Sequence, residues 1–478
     1  MLYLPVSLLV PILIGFAFVS ILWPGTFRSH PMIKSCLAVG AGFGIFSILF
    51  FLSLLFFGAS SKGLLLAEIV LLISLVAILG YKIKRGKPNE DRLEVPSAGS
   101  STLGKVLFII FLLAFLSSII AFAFISLKKP HGDWDAWAVH NMRARFIFRA
   151  GEQWRDAYSD HLAWSSLDYP LLVTGSVAGC WRIIGDDTVL VPIILGGLFT
   201  FATVALAALS LGVTRGRIQG YLAGLILLCT PLLITHGASQ YLDIPLGFFF
   251  LATIVLLNLQ SRFSDEETGL LPLAGFMAGL GAWTKNEGLL FIIAILVAQF
   301  IVTLPKRGLK VYLKQTLRMG AGLLPVLVVL IYFKTGFAAS SAFFEPGGQS
   351  TLEKIIDVSR YVDVFKRFVI EAFDFGEWPV SIPALLILYI LLAGVSLEQK
   401  EKSSIVAAAL VLALMTAGYF FIFIITPRDL NWHLESTLHR LFIQLFPSCI
   451  FLFFMLARPP EQAIAGRLNH EGTKPQRI

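Results

Sequence analysis

The sequence predicts an all-α, polytopic transmembrane protein, and three observations carry that prediction. Of 478 residues, 56% are hydrophobic, 13% aromatic and only 14% charged, a balance too apolar for a soluble domain. The apolar residues fall into long runs that suit helical crossings of a bilayer core, at about 20 residues each. Lys and Arg collect between those runs, as the orientation rule requires. The net charge of +8 is therefore no argument for a nucleic-acid partner.

In order, the runs are 3–21, 36–57, 64–81, 106–127, 189–211, 218–235, 244–259, 270–283, 288–304, 317–333, 382–397, 405–425 and 441–456, or about thirteen spans. The first lacks a basic leader and a small-residue cleavage site, and it reads as a retained helix. Segment 169–184 is apolar but short, opens near Pro170 and carries Arg182. If it does not cross, the basic connectors at 81–87, 214–217, 305–318 and 398–402 all share one face, the cytoplasmic one by the positive-inside rule. If it crosses, 214–217 and 305–318 are thrown to the other side, so the non-crossing reading is preferred. The opposite face then holds external loops at about 128–188 and 336–380, with 236–243, 284–288 and 426–440. The expected organisation is a three-helix membrane segment with its inner loop (1–104), a larger transmembrane region bearing the external loops (105–457) and a polar cytoplasmic tail (458–478). The connector 86–101 and the tail have the composition of mobile chain. No internal repeat is visible.

The most hydrophilic stretch is 128–170, KKPHGDWDAWAVHNMRARFIFRAGEQWRDAYSDHLAWSSLDYP. Asp133 and Asp135 stand at the head of a helix predicted to lie along the membrane surface. One carboxylate there is ordinarily a cap. Two acids and two Trp beside the end of a span exceed what capping needs, so both are catalytic candidates. Further along, Asp168 and Tyr169 precede Pro170, which opens a short interface helix. In LDIPLGFFFLA, Asp243 and Pro245 open a span; this is also ordinary helix-start grammar. GLGAWTKNEGLLF sets Lys285 and Glu287 at membrane depth, where ionisable groups cost about 2.5–3.5 kcal/mol or more and are functional candidates by default. Snorkelling from a span end is the bland reading of Lys285, but glycines on both sides point to a tight turn facing a cavity. NWHLESTLHRLFIQLFP brings His433, His439 and Arg440 to the last span, with Arg440 a suitable partner for phosphate.

By sequence count, eight of nine Trp and six of eight His fall on this outer face. Trp there is ordinary interfacial anchoring. No HxxxH or HExxH spacing accompanies the histidines, so a divalent metal is not indicated and no cofactor is firmly expected. The four Cys lie far apart in apolar contexts and read as small hydrophobes.

Taken in order, DWDAW, DYPLL, LDIPLGFFFLA, GAWTKNEG and HRLFIQLFP resemble the membrane glycosyltransferases of the GT-C superfamily. The nearest likeness is to the protein-mannosyltransferase and aminoarabinose-transferase-like group, which uses polyprenyl-phosphate sugars. The resemblance extends over roughly 128–456. It implies an inverting transfer on the extracytoplasmic face of a cell membrane, a bacterial inner membrane, to a glycan, lipid or protein acceptor. Asp135, or Asp133, would be the general base. Asp243, Lys285, Glu287, Arg440, His433, His439, Asp168 and Tyr169 would bind substrate, and the 336–377 loop with Gly347 and Gly348 would close over them.

The sequence departs from the group in several places. Asp133-Trp134-Asp135 replaces an adjacent Asp-Glu, Tyr169-Pro170-Leu171 replaces Pro-Pro-Leu, Arg440-Leu441 replaces Arg-Tyr, and three extra helices precede the span that the acidic loop follows. The competing reading is a polytopic transporter or a flippase of envelope glycolipids. Transporters place charge near the bilayer midplane, whereas here it gathers at the outer boundary. A polymerase or ligase of surface polysaccharide would carry its large loop late in the chain; this chain carries it early.

Overall fold

The computed structural model describes residues 3–24, 30–58, 61–85, 102–262, 269–338, 351–378, 380–397, 399 and 401–463. The 86–101 connector, the Gly347-Gly348 pair and residues 464–478 lie outside that set. Among the described residues there is no sheet, and the one isolated bridge joins Val395 and Ala457. The helices are α1 (Leu4–Leu22), α2 (Pro31–Phe57), α3 (Ser61–Arg85), α4 (Thr102–Lys128), α5 (Asn141–Arg149), α6 (Leu172–Ile184), α7 (Leu190–Thr214), α8 (Arg217–Leu228) and α9 (Pro231–Ala238). They continue with α10 (Asp243–Gln260), α11 (Leu270–Thr284), α12 (Glu287–Gly336), α13 (Thr351–Ile356), α14 (Val358–Asp374), α15 (Ile382–Ala393), α16 (Lys402–Ile425) and α17 (Leu430–Leu456).

Among the described residues, nine helices are long and apolar enough to cross a membrane, or ten if a bent pair is one span. The protein is an all-α, multi-pass membrane protein. The difference from the thirteen predicted runs has local causes. Run 218–235 is no straight span: it breaks into α8 and α9 at an angle of 62°, because Pro231 begins a new helix where the old one would need an N–H. Runs 270–283 and 382–397 form the short helices α11 and α15. Runs 288–304 and 317–333 are the two arms of α12, on either side of a break at Gly308.

That last helix is a hairpin. Gly308 interrupts it at φ 80°, ψ 167°, and Lys334 Nζ donates to Asn286 Oδ1 at 2.6 Å. A straight helix would hold those residues about 70 Å apart. The two arms therefore lie antiparallel, and the returning arm packs so closely on α11 that a Cβ on Gly322 would meet the Pro272 carbonyl oxygen at 1.8 Å.

Helix α6 follows Pro170 and is about 20 Å long, short of a bilayer core. It packs on α2: Ser47 Oγ donates to the Leu171 carbonyl at 2.9 Å and Ser176 Oγ to that of Phe43 at 3.1 Å. Trp283 Nε1 of α11 also donates to Ser47 Oγ, at 3.0 Å, so α2 belongs to the central core. Helix α10 is buried over most of its length. In α14 a strongly two-faced sequence buries Val364 and Phe368 and leaves Val362, Phe365 and Phe373 exposed, the pattern of an interfacial helix.

The two ends of the bundle differ in chemistry. At one end Arg215 pairs with the buried carboxylate of Glu401 at 2.9 Å, Arg262 pairs with it as well, and Lys306 donates to Ser403 at 3.1 Å. The hydrophilic 128–170 stretch covers the other end.

Candidate active site

The site is assembled by stapling the first hydrophilic stretch to the turn between α9 and α10. Gly132 has φ +76°, and a Cβ there would lie 2.6 Å from the Ser239 carbonyl oxygen. The Asp133 amide donates to that same oxygen at 3.2 Å. Gln240, itself at φ 61°, accepts from Asn141 Nδ2 at 2.7 Å and donates to the Pro130 carbonyl at 3.2 Å.

The two candidate acids then part company. Asp133 starts the helix: its Oδ1 accepts from the Trp134 amide at 3.1 Å, and its carboxylate pairs with exposed Lys129 at 2.7 Å. The Lys129 hydrogen bond holds its pKa below the ordinary aspartate value. Asp135 makes no cap. It precedes a π-turn, Ala136–His140, instead of the continuous α-helix the sequence predicts. Such turns re-aim side chains and recur at functional sites. Here Asp135 Oδ2 accepts from Arg440 Nη2 at 2.5 Å.

Arg440 connects Asp135 to a buried cluster. Asp243, the first residue of α10 and fully buried, accepts Arg440 Nε on Oδ2 at 3.0 Å. Its Oδ1 accepts Lys285 Nζ at 2.9 Å and Gln444 Nε2 at 2.6 Å. Lys285 also pairs with Glu287 at 2.9 Å, and Tyr419 fixes Gln444 by donating to its Oε1 at 2.5 Å. The Arg440 guanidinium lies 4.6 Å over the Tyr241 ring. Burial works against the Lys285 ammonium, but Asp243 and Glu287 outweigh it and keep its pKa above the ordinary lysine value. The 285–288 turn between α11 and α12 requires its glycine: a Cβ on Gly288 would sit 2.3 Å from the Ala282 nitrogen. Three carboxylates and two cations thus share one wall, buried at Asp243 and Lys285 and partly open at Asp135, Glu287 and Arg440, with both carboxylate oxygens of Asp243 engaged.

Asp168 and Tyr169 border this wall. Buried Arg143 donates to the carbonyls of Ser165 at 2.7 Å and Ser166 at 2.9 Å, fixing the approach to Pro170. Asp168 accepts from Asn286 Nδ2 at 2.6 Å, and its carbonyl accepts from Lys334. Tyr169 has the Lys285 ammonium 5.7 Å from its ring centre, and burial pushes its phenol up to about 12.

Of the residues predicted from sequence, Asp135, Asp243, Lys285, Glu287 and Arg440 meet directly. Tyr169 flanks them, Asp168 lies one turn of chain away and Asp133 stays at the surface. His439 packs against His236 at 5.5 Å between ring centres. His433 packs on Phe423 at 4.9 Å, about 10 Å before Arg440 along α17. The sequence reading passed over Gln444, Tyr241, Tyr419, Asn286, Lys334, Arg143 and His140. Gln444 had a signal, since it lies four residues after Arg440 and so on the same helical face; Lys334 is a lone charge ending an apolar run. Among the described residues, no group of three or more His, Cys, Asp or Glu side chains is arranged to hold a metal ion.

Residues 168–332 match the family described as dolichyl-phosphate-mannose-protein mannosyltransferase. The match spans about a third of the chain and supports a GT-C-type membrane glycosyltransferase. The matched segment includes Asp243, Lys285 and Glu287, and the rest of the chain adds Asp135 and Arg440 to them from either side. No curated protein and no solved structure matches the chain.

Proposed function

We propose that this glycosyltransferase moves a sugar from a polyprenyl-phosphate donor to an acceptor hydroxyl or amine at the extracytoplasmic surface, with Asp135 as general base and inversion at the anomeric carbon. The observation that carries the reading is Arg440, which bridges the acid on the first external loop and the buried Asp243–Lys285–Glu287 cluster. In the reaction the acceptor oxygen or nitrogen forms its bond to the anomeric carbon as the bond from that carbon to the phosphate oxygen breaks. The acceptor proton passes to Asp135, and the bonding pair leaves with the lipid phosphate. Charge grows on that phosphate in the transition state, where preplaced cations have most effect; Arg440 and Lys285 are the cations at hand. A phosphate engaging Arg440 competes with Asp135 for the guanidinium, so donor binding itself frees the carboxylate to act as a base. Asp243 positions both cations, and Glu287 positions Lys285. The basic connectors at the far end of the bundle support the extracytoplasmic assignment through the positive-inside rule.

The test is complementation of a deletion strain, with the surface glycan read by mass spectrometry. Asp135→Asn keeps the shape and removes the base; a general base is worth about 10² to 10⁴-fold, so the glycan should be lost. Asp133→Asn should retain it. The reverse result moves the role to Asp133, and a normal glycan in both variants ends the acid–base scheme.

A further inference from the structure

One side chain beside the cluster has no part in that scheme. His140 closes the π-turn, is 1% exposed, and among the described residues neither of its ring nitrogens has a hydrogen-bond partner. Leaving buried polar atoms unpaired is unfavourable, and native interiors rarely keep two on one ring without a ligand or water to complete them. The ring lies nearly parallel to Tyr169, with planes 15° apart and centres separated by 5.9 Å. Tyr169 in turn faces Lys285, so His140 stands on the wall of the site.

Its surroundings fix its form. Burial first, then the cations of Arg143, Lys285 and Arg440, hold its pKa well below the ordinary histidine value, and Asp243 opposes them only in part. A neutral imidazole offers one N–H donor and one lone-pair acceptor. That pair matches a hydroxyl group, which both gives and takes a hydrogen bond. It matches a phosphate poorly, because a phosphate mainly accepts.

We propose that His140 is a sugar-recognition residue, hydrogen-bonding a ring hydroxyl of the transferred sugar and so contributing to which sugar the enzyme takes. The proposal rests on the cluster being a polyprenyl-phosphate-sugar site. It divides the labour there: Arg440 and Lys285 for the phosphate, His140 for the ring.

The experiment measures binding of undecaprenyl phosphate and of its glucose-, galactose- and mannose-linked forms to the full-length protein in nanodiscs. Wild type should bind at least one sugar-linked lipid more tightly than the bare phosphate. His140→Ala should reduce that margin by about tenfold, the effect of one hydrogen bond, while leaving bare-lipid affinity within about twofold. His140→Gln keeps a donor and an acceptor and should recover part of the margin. Retained bare-lipid binding also shows that a variant is folded. Equal losses for bare and sugar-linked lipids in both variants, or no margin in wild type, overturn the proposal. Failure of the underlying reading has a different signature: Arg440→Ala would leave bare-lipid affinity unchanged.

Discussion

At the residue scale, Asp133 and Asp135 show that two acids two positions apart can do unrelated work. Asp133 is spent on helix initiation and a surface pair with Lys129, with side chains 42% and 55% exposed; such pairs contribute about 0–1 kcal/mol. Asp243 is at the other extreme, fully buried and engaged by Lys285, Arg440 and Gln444. Removing one partner of a buried ionic group leaves uncompensated charge, a loss of about 3–5 kcal/mol. Asp243→Asn should therefore lower the thermal unfolding midpoint of the detergent-solubilised protein clearly, while Asp133→Asn should barely move it; equal shifts would mean that the cluster is not the buried keystone described above. Tyr419→Phe offers a finer probe. It strands the buried Gln444 Oε1, at a cost of about 1–3 kcal/mol, and a midpoint identical to wild type would show that water replaces the lost hydroxyl. Tyr419 was not legible beforehand, because a buried aromatic in an apolar stretch looks like core until its neighbours are known, and His140 and Arg143 did not stand out among the many polar residues of 128–170. The charges at Asp243, Lys285 and Arg440 were legible because they interrupt sequence that otherwise suits lipid.

At the scale of elements, the hairpin in α12 explains how one turn supplies the site with both its ammonium and its acidic partner. The first arm starts at Glu287, and the returning arm brings Lys334 back to brace Asn286 and Asp168. The two apolar arms were readable as separate runs. The reversal between them was implied too, because the parity argument sets the 305–318 connector on the basic face; its position was not, since the stretch is rich in good helix formers and only the positive φ of Gly308 marks it. In the same way, the acids of the first loop could be read as heading a helix, but nothing in the spacing announces the π-turn that sends Asp135 inward. The hairpin is testable by distance. Cysteines replacing Asn286 and Lys334, in a background without the four native thiols, should be joined efficiently by a short bis-maleimide. A continuous helix would separate them by about 70 Å and give no intramolecular product.

At the scale of the whole molecule, the two polar ends are locked by different chemistry around one buried helix, α10. Its first residue anchors the acid–cation wall, while Arg262, just past its end, joins Arg215 on Glu401 at the basic end. Segregation of the basic connectors was predictable because it follows from parity: a non-crossing 169–184 puts them together. The orientation that this implies can be measured. In the thiol-free background, Trp164→Cys lies on the 128–170 stretch and Lys310→Cys on the basic connector, and both positions are exposed. An impermeant maleimide should label Trp164→Cys in right-side-out vesicles and Lys310→Cys in inside-out vesicles. Interchanged labelling would place the acid–cation wall on the cytoplasmic side and overturn transfer at the outer surface. Labelling of both from one side would undo the parity argument itself, since α6 or another short helix would then have to cross.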